Sequence, residues 1–252
     1  RVELGAKAGR GPAHAAAETD VIITMESQPK DVEEVVFRPD GVLDGLRAGS
    51  VLMDMSTVDP MTSRKLAGAV AAKQAEFLDA PVVGSVGPAT EGTLVILVGG
   101  LPMTLERVRG ILSAMGKTIV HAGSIGMGST LKLATNLMLA HLMVGFSEGL
   151  IMVEGAGIDP VRYLEALGAS TFRSPWYETK GRGLLARDFS THFALRHMRK
   201  DLRLMSTLAQ ELGTALPVTA AIEQQYARAE AEGRGELDYS AIFTHLEGLK
   251  EA

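Results

Sequence analysis

At 252 residues, 46% of them hydrophobic, the chain can bury a core large enough for one large domain or two modest ones. Its 25 basic against 30 acidic residues give a net charge of -5 with no long run of either sign, which argues against nucleic acid or an anionic membrane as a partner. The lack of cysteine excludes disulfide staples, thiolate metal sites and cysteine nucleophiles, and fits a cytoplasmic protein.

The opening Arg1-Val2-Glu3-Leu4-Gly5 carries no apolar run of the kind that directs secretion. From there to about residue 123, short apolar runs alternate with helix-like segments, the pattern of a parallel sheet flanked by helices. Strands are predicted at 21–25, 51–55, 77–82, 94–98 and 119–121, each rich in branched residues and followed by turn chemistry. Helices are predicted between them at 31–37, 60–73 and 102–115. In a doubly wound sheet, ligands bind at the carboxyl ends of the strands, so the residues just after each run are where function is expected.

After Gly123-Ser124-Ile125-Gly126-Met127-Gly128 the periodicity becomes helical throughout. One long helix is predicted over 129–155, ending at Gly155 and Gly157, and another begins at Asp159-Pro160, an N-cap followed by proline at the first helical position. Further helices are predicted at 194–213 and 216–232, with Gly213 and Gly233 as stops. The stretch 131–153 is apolar enough to suggest a membrane span. However, Lys132, Asn136, His141, Ser147 and Glu148 would each be costly in lipid, so a buried helix is expected. The expected organisation is thus α/β, with a Rossmann-like sheet over residues 1–123 and an all-helical domain over residues 124–252.

The sharpest chemical feature is Gly128-Ser129-Thr130-Leu131-Lys132-Leu133-Ala134-Thr135-Asn136, a glycine loop entering an apolar helix. Lys132 and Asn136 are four residues apart and share one helix face. A lysine on an apolar face must be paired, snorkelling or functional, because an unpaired buried ammonium is expensive. Spacing alone leaves these readings open.

The pattern Gly128-x-x-x-Lys132-x-x-x-Asn136 is similar to the catalytic signature of the β-hydroxyacid dehydrogenases, which include 3-hydroxyisobutyrate dehydrogenase and glyoxylate reductases. Four further segments agree in order. Asp54-Met55-Ser56-Thr57 resembles the family's strand-end segment beside the cofactor. Asp79-Ala80-Pro81-Val82-Val83-Gly84-Ser85 resembles its substrate loop. Phe193 followed by Lys200-Asp201 resembles its C-terminal cofactor-contacting segment, and Val21-Ile22-Ile23-Thr24-Met25 its fourth strand with the turn beside the dinucleotide. Gly84-Ser85-x-x-Pro88-Ala89-x-x-Gly92 and Phe146-Ser147-Glu148-Gly149-Leu150 resemble the branch of glyoxylate and succinic semialdehyde reductases.

The resemblance implies an NADP- or NAD-dependent oxidoreductase acting on a small carboxylate-bearing aldehyde or hydroxy acid, with 3-hydroxyisobutyrate oxidation as the alternative activity. It implies Lys132 and Asn136 as catalytic residues, with Lys132 protonating the alkoxide during reduction. Ser56, Val83, Gly84 and Ser85 would meet the substrate, and Met25, Glu26, Thr57, Phe193 and Lys200 the cofactor. Two positions depart from the family. Val83 stands where serine is usual, which removes a hydroxyl donor, and Glu26 stands where an apolar residue is usual.

Trp176, Tyr177 and the twelve methionines are read as packing, and the six histidines have no metal spacing, so no metal site is expected. The long helix is apolar on more than one face, which predicts a homodimer or homotetramer. A dinucleotide fold should open with a strand, Gly-x-Gly-x-x-Gly and a helix, and that motif does not occur. The sheet is therefore expected to be N-terminally truncated by about 30 to 40 residues, roughly one strand-helix-strand unit. A non-catalytic dimerising module is the competing expectation.

Overall fold

The computed structural model describes residues 5–249. The chain divides into two compact units, Arg1–Thr135 and Asn136–Ala252. The boundary falls inside one continuous helix.

The first unit is built on a six-stranded sheet. Its strands are β1 (Val21–Thr24), β2 (Val51–Asp54), β3 (Glu76–Asp79), β4 (Val82–Val83), β5 (Leu94–Gly99) and β6 (Gly116–Gly123), with β1-β2-β3-β5-β4 in order and β6 paired to β5. All four residues of β2 are buried, because both faces of the sheet are covered. Leu52 packs in one cluster with Val32, Val36, Leu66 and Val70 from the helices α2 (Pro29–Phe37) and α4 (Pro60–Ala72). Its neighbours Val51 and Met53 point the other way, into a cluster with Leu105, Val108 and Leu112 from α6 (Pro102–Met115).

Two expectations need correction. The apolar run 77–82 is not one strand. It breaks at Ala80-Pro81 into β3 and β4, because proline supplies no ladder donor and favours a strand end. The sheet is also mixed rather than parallel throughout. The pairs β1·β2, β2·β3 and β5·β6 are parallel, whereas β5 runs antiparallel to both β3 and β4. Short helices that the periodicity did not reveal are α1 (Pro12–Ala17), α3 (Val42–Gly45) and α5 (Val86–Glu91). Asp59 starts α4 by accepting from the Thr62 amide at 2.9 Å, with Pro60 at the first helical position.

The helix α7 runs from Met127 to Gly155, 29 residues. It is long and apolar enough to cross a membrane, yet Lys132, Asn136 and Ser147 are buried along it, and polar groups of this kind are penalised in lipid.

The second unit is helical, as the periodicity indicates. It contains α8 (Pro160–Ala169), α9 (Pro175–Leu185), α10 (Leu195–Glu211), α11 (Pro217–Ala229) and α12 (Ile242–Gly248). Asp159 caps α8 through the Val161 amide at 3.0 Å. The predicted helix 216–232 ends its regular part at Ala229, then turns through Gly233 at φ 89, a left-handed conformation that suits glycine. Leu195, Met198, Leu202 and Met205 on α10 are buried, as are Tyr226 on α11 and Phe243 on α12.

Candidate active site

The parallel register of the first unit places Thr24, Asp54 and Asp79 side by side at the carboxyl ends of β1, β2 and β3. All three are buried. Asp54 Oδ1 accepts from the Thr24 hydroxyl at 2.9 Å and from the Ser56 amide at 3.2 Å. The Ser56 hydroxyl in turn accepts from the Glu26 amide at 2.8 Å. This chain of bonds ties the turn after β1 to the turn after β2, so Met25, Glu26, Ser56 and Thr57 are brought together. Burial pushes the Asp54 carboxyl above the usual carboxylate range, against the opposing bonds from Ser56 and Thr24, and nearby Asp79 adds to the rise.

Asp79 has a different partner. Its Oδ1 accepts from the Gly126 amide and its Oδ2 from the Ser129 amide, both at 2.8 Å. A strand-end carboxylate therefore caps the start of α7, the helix that carries Lys132. The fit is close. A Cβ at Gly128 would lie 2.5 Å from the Leu97 carbonyl oxygen and 2.8 Å from that of Asp79, and a Cβ at Gly99 would fall on the Asp79 carboxylate itself. Gly128 is thus required by the approach of helix backbone to sheet backbone. Ser129 and Ser63 share a buried hydroxyl contact of 2.9 Å beside it. Burial raises the Asp79 carboxyl as well, opposed by the Gly126 and Ser129 amides. Lys132 follows Ser129 by three residues and is only 8% exposed.

The segment 83–85 is less loop-like than its sequence suggests. Val83 lies half-buried in β4, paired with Val95, and Gly84 adopts φ 132. Ser85 stands exposed at the start of the six-residue α5.

In the second unit, Asn136 is buried and donates its Nδ2 hydrogen to Asp201 Oδ2 at 2.6 Å. The Lys200 ammonium lies 2.9 Å from Asp201 Oδ1. Asn136 and Lys200 are thereby brought together on one buried carboxylate. Phe193 is held from elsewhere: Asp238 accepts from the His192 and Phe193 amides at 3.2 Å, from the Ser240 hydroxyl at 2.6 Å and from the Lys180 ammonium at 2.6 Å. Asp238 is buried, and although that burial acts to raise its carboxyl, Lys180 and Ser240 hold it below the usual range. The Phe193 ring stacks near His197, with centroids 6.3 Å apart.

Sequence reasoning does not single out Asp54, Asp79, Asp201 or Asp238. The first three lie inside motifs that the resemblance marks, whereas Asp238 has no local signal.

Comparison with known proteins fits this arrangement. Residues 1–123 match the profile described as the NAD binding domain of 6-phosphogluconate dehydrogenase, and residues 126–246 that described as the NAD-binding domain of NADP-dependent 3-hydroxyisobutyrate dehydrogenase. The fold and these matches define an NAD(P)-dependent oxidoreductase. A probable 3-hydroxyisobutyrate dehydrogenase-like 1, mitochondrial, from Arabidopsis thaliana is 36% identical, over 98% of this chain and 74% of its own length. Glyoxylate/succinic semialdehyde reductase 1 from the same plant is 33% identical, over 99% of this chain and 86% of its own. Among solved structures, a Mycobacterium tuberculosis 3-hydroxyisobutyrate dehydrogenase with L-serine superposes with a TM-score of 0.85 at 28% identity, covering 94% of this chain and 82% of that one. The chain belongs to the β-hydroxyacid dehydrogenase family.

The turn after β1 offers a surface suited to the cofactor the family uses. Met25 is 62% exposed at the end of β1, a large apolar side chain held out of the core beside backbone fixed by Ser56. A flat aromatic ring can lie against such a surface, at the strand ends where open α/β sheets take their ligands.

Proposed function

We propose that the chain reduces a small carboxylate-bearing aldehyde or keto acid to its hydroxy acid, in the manner of the glyoxylate and succinic semialdehyde reductases, with Lys132 as general acid. The observation that carries this reading is the burial of Lys132 one turn inside a helix whose start is fixed to a strand end by Asp79. A lysine so placed has little freedom to seek solvent, and its ammonium can be held against one oxygen atom.

Bound NADPH or NADH supplies a hydride to the carbonyl carbon. Negative charge then builds on the carbonyl oxygen, and Lys132 Nζ gives that oxygen a proton; in the reverse direction the neutral amine takes it back. Asn136 holds the reacting hydroxyl. Because a carboxylate only accepts, Asp201 takes the Asn136 amide by its Nδ2 hydrogen and so sets the orientation of that amide. Met25, Glu26, Thr57, Phe193 and Lys200 hold the cofactor, while Ser56, Val83, Gly84 and Ser85 meet the substrate. With Val83 in β4, the substrate carboxylate loses a hydroxyl donor there, and the exposed Gly84 and Ser85 supply the polar contacts instead.

In this reading residues 1–123 are the dinucleotide-binding domain, which also lends Ser56 and the 83–85 segment to the substrate, and residues 124–252 are the helical substrate and dimerisation domain, which also lends Phe193 and Lys200 to the cofactor, within a cytoplasmic homodimer or homotetramer. A second reading is 3-hydroxyisobutyrate oxidation, which the 36% identity to a relative named for that activity favours. Initial rates with glyoxylate, succinic semialdehyde and 3-hydroxyisobutyrate, each with both cofactors, separate the two. Fastest turnover of an aldehyde with NADPH or NADH supports the first. Preference for 3-hydroxyisobutyrate with the oxidised cofactor supports the second, and no saturable cofactor binding overturns both.

A further inference from the structure

The arrangement around Asp79 carries a step beyond the assignment of Lys132, on which it rests. We propose that Asp79 is a positioning residue for the reaction: its carboxylate sets the location of the Lys132 ammonium by seating the first turn of α7 on the end of β3.

The two bonds to Asp79 come from amides three residues apart, Gly126 and Ser129, and each carboxylate oxygen takes one. Groups this close to a helix start have no partner one turn back, so they need an acceptor from outside the helix. Here the acceptor comes from 47 and 50 residues away in sequence. A local cap would fix only the helix start. A cap from the sheet also fixes the helix relative to the strand ends, where the cofactor and substrate residues Met25, Glu26, Ser56 and Thr57 lie.

Steric contacts reinforce the seat. Gly99 leaves room for the Asp79 carboxylate, and Gly128 leaves room for the helix backbone against the Leu97 carbonyl. The helix cannot move closer, and the two hydrogen bonds keep it from moving away. Lys132 stands one turn beyond, near enough to the seat that a shift of the first turn carries its side chain along. A displacement of about 1 Å at a reacting group can cost on the order of a hundredfold in rate.

The test uses the full chain with Asp79→Asn and Asp79→Ala, alongside Lys132→Ala. Asparagine keeps the size and one acceptor but meets an amide with an amide. Turnover should fall about tenfold for Asp79→Asn and about a hundredfold for Asp79→Ala, with the dissociation constant for NADPH within about threefold of the parent. The limb of the kcat pH profile that belongs to Lys132 should also move. A cap with a purely structural role would lower the melting temperature and leave that limb and the kcat of the folded protein in place, and that result overturns the proposal. If Asp79→Asn does not fold, Gly128→Ala, which pushes the same turn off the Leu97 carbonyl, must give the same loss of kcat at retained cofactor affinity; unchanged kcat in that variant overturns the proposal equally. Parental turnover in Lys132→Ala removes the reading beneath it, whereas a dead Lys132→Ala beside an unaffected Asp79→Asn removes the positioning role alone.

Discussion

Asn136 Nδ2 and Asp201 Oδ2 lie 2.6 Å apart, both in buried side chains, one on α7 and the other on α10. The bond spans 65 residues of sequence and joins the helix of the catalytic signature to the helix of the Lys200 segment. Asp201 therefore has two tasks, orienting an amide and neutralising an ammonium.

Replacing Asp201 with alanine removes the acceptor that both groups address. A hydrogen bond to a charged group is worth about 1.5 to 3 kcal/mol, so Asp201→Ala should lose about 2 kcal/mol of stability in urea titration. Its KM for the hydroxy acid, measured in the oxidation direction, should rise more than its kcat falls, because the amide proposed to hold the reacting hydroxyl loses its orientation. An unchanged KM would separate Asp201 from substrate binding.

Lys180 and Asp238 form a largely buried pair, with the ammonium also 4.4 Å from the centre of the Tyr239 ring. Removing one partner of such a pair is expensive because it leaves the other charge buried. Lys180→Met should cost about 3 kcal/mol in chemical denaturation. It should also weaken NADPH binding, since Asp238 holds the amide of Phe193. Full cofactor affinity in a destabilised but folded variant would place Phe193 outside the cofactor site.

Asp54 supplies a test by pH. Burial raises its carboxyl from the ordinary 3.8, so the folded chain holds the proton more tightly than the unfolded chain does. The associated stability is fully present below the unfolded value and is lost as pH rises through the higher folded value. Asparagine cannot ionise and retains an oxygen for Thr24 and Ser56. Asp54→Asn should therefore be more stable than the parent near neutral pH, and its advantage should shrink as the solution is acidified through the raised folded value and be gone at the ordinary 3.8. Guanidinium titrations across that range decide the matter, and an advantage that grows in acid would contradict the assignment.

Much of this architecture can be read from local patterns. The strands around Ile22, Leu52 and Ile96 are short branched runs between turns, and Asp159-Pro160 announces a helix with a cap and a pre-set φ. The break at Pro81 lay hidden because the residues on both sides are apolar, and only pairing with β5 shows where each piece belongs. The helices α1, α3 and α5 span four to six residues, too short to display a helical period. Lys132 and Asn136 could be found from spacing and resemblance, since both lie on one helix. The partners that fix them could not, because the Gly126 amide meets Asp79, and Asn136 meets Asp201, only after distant segments fold together.

The central claim is that the Lys132 ammonium protonates the product oxygen. Its most direct test is Lys132→Ala, with cofactor affinity measured by NADPH fluorescence and turnover measured by loss of nicotinamide absorbance with glyoxylate or succinic semialdehyde. General acid catalysis contributes about a hundredfold to ten-thousandfold, so turnover should fall by at least about a hundredfold while the dissociation constant for NADPH stays within about twofold. An alanine variant that binds NADPH and reduces the aldehyde at the parental rate would contradict the account.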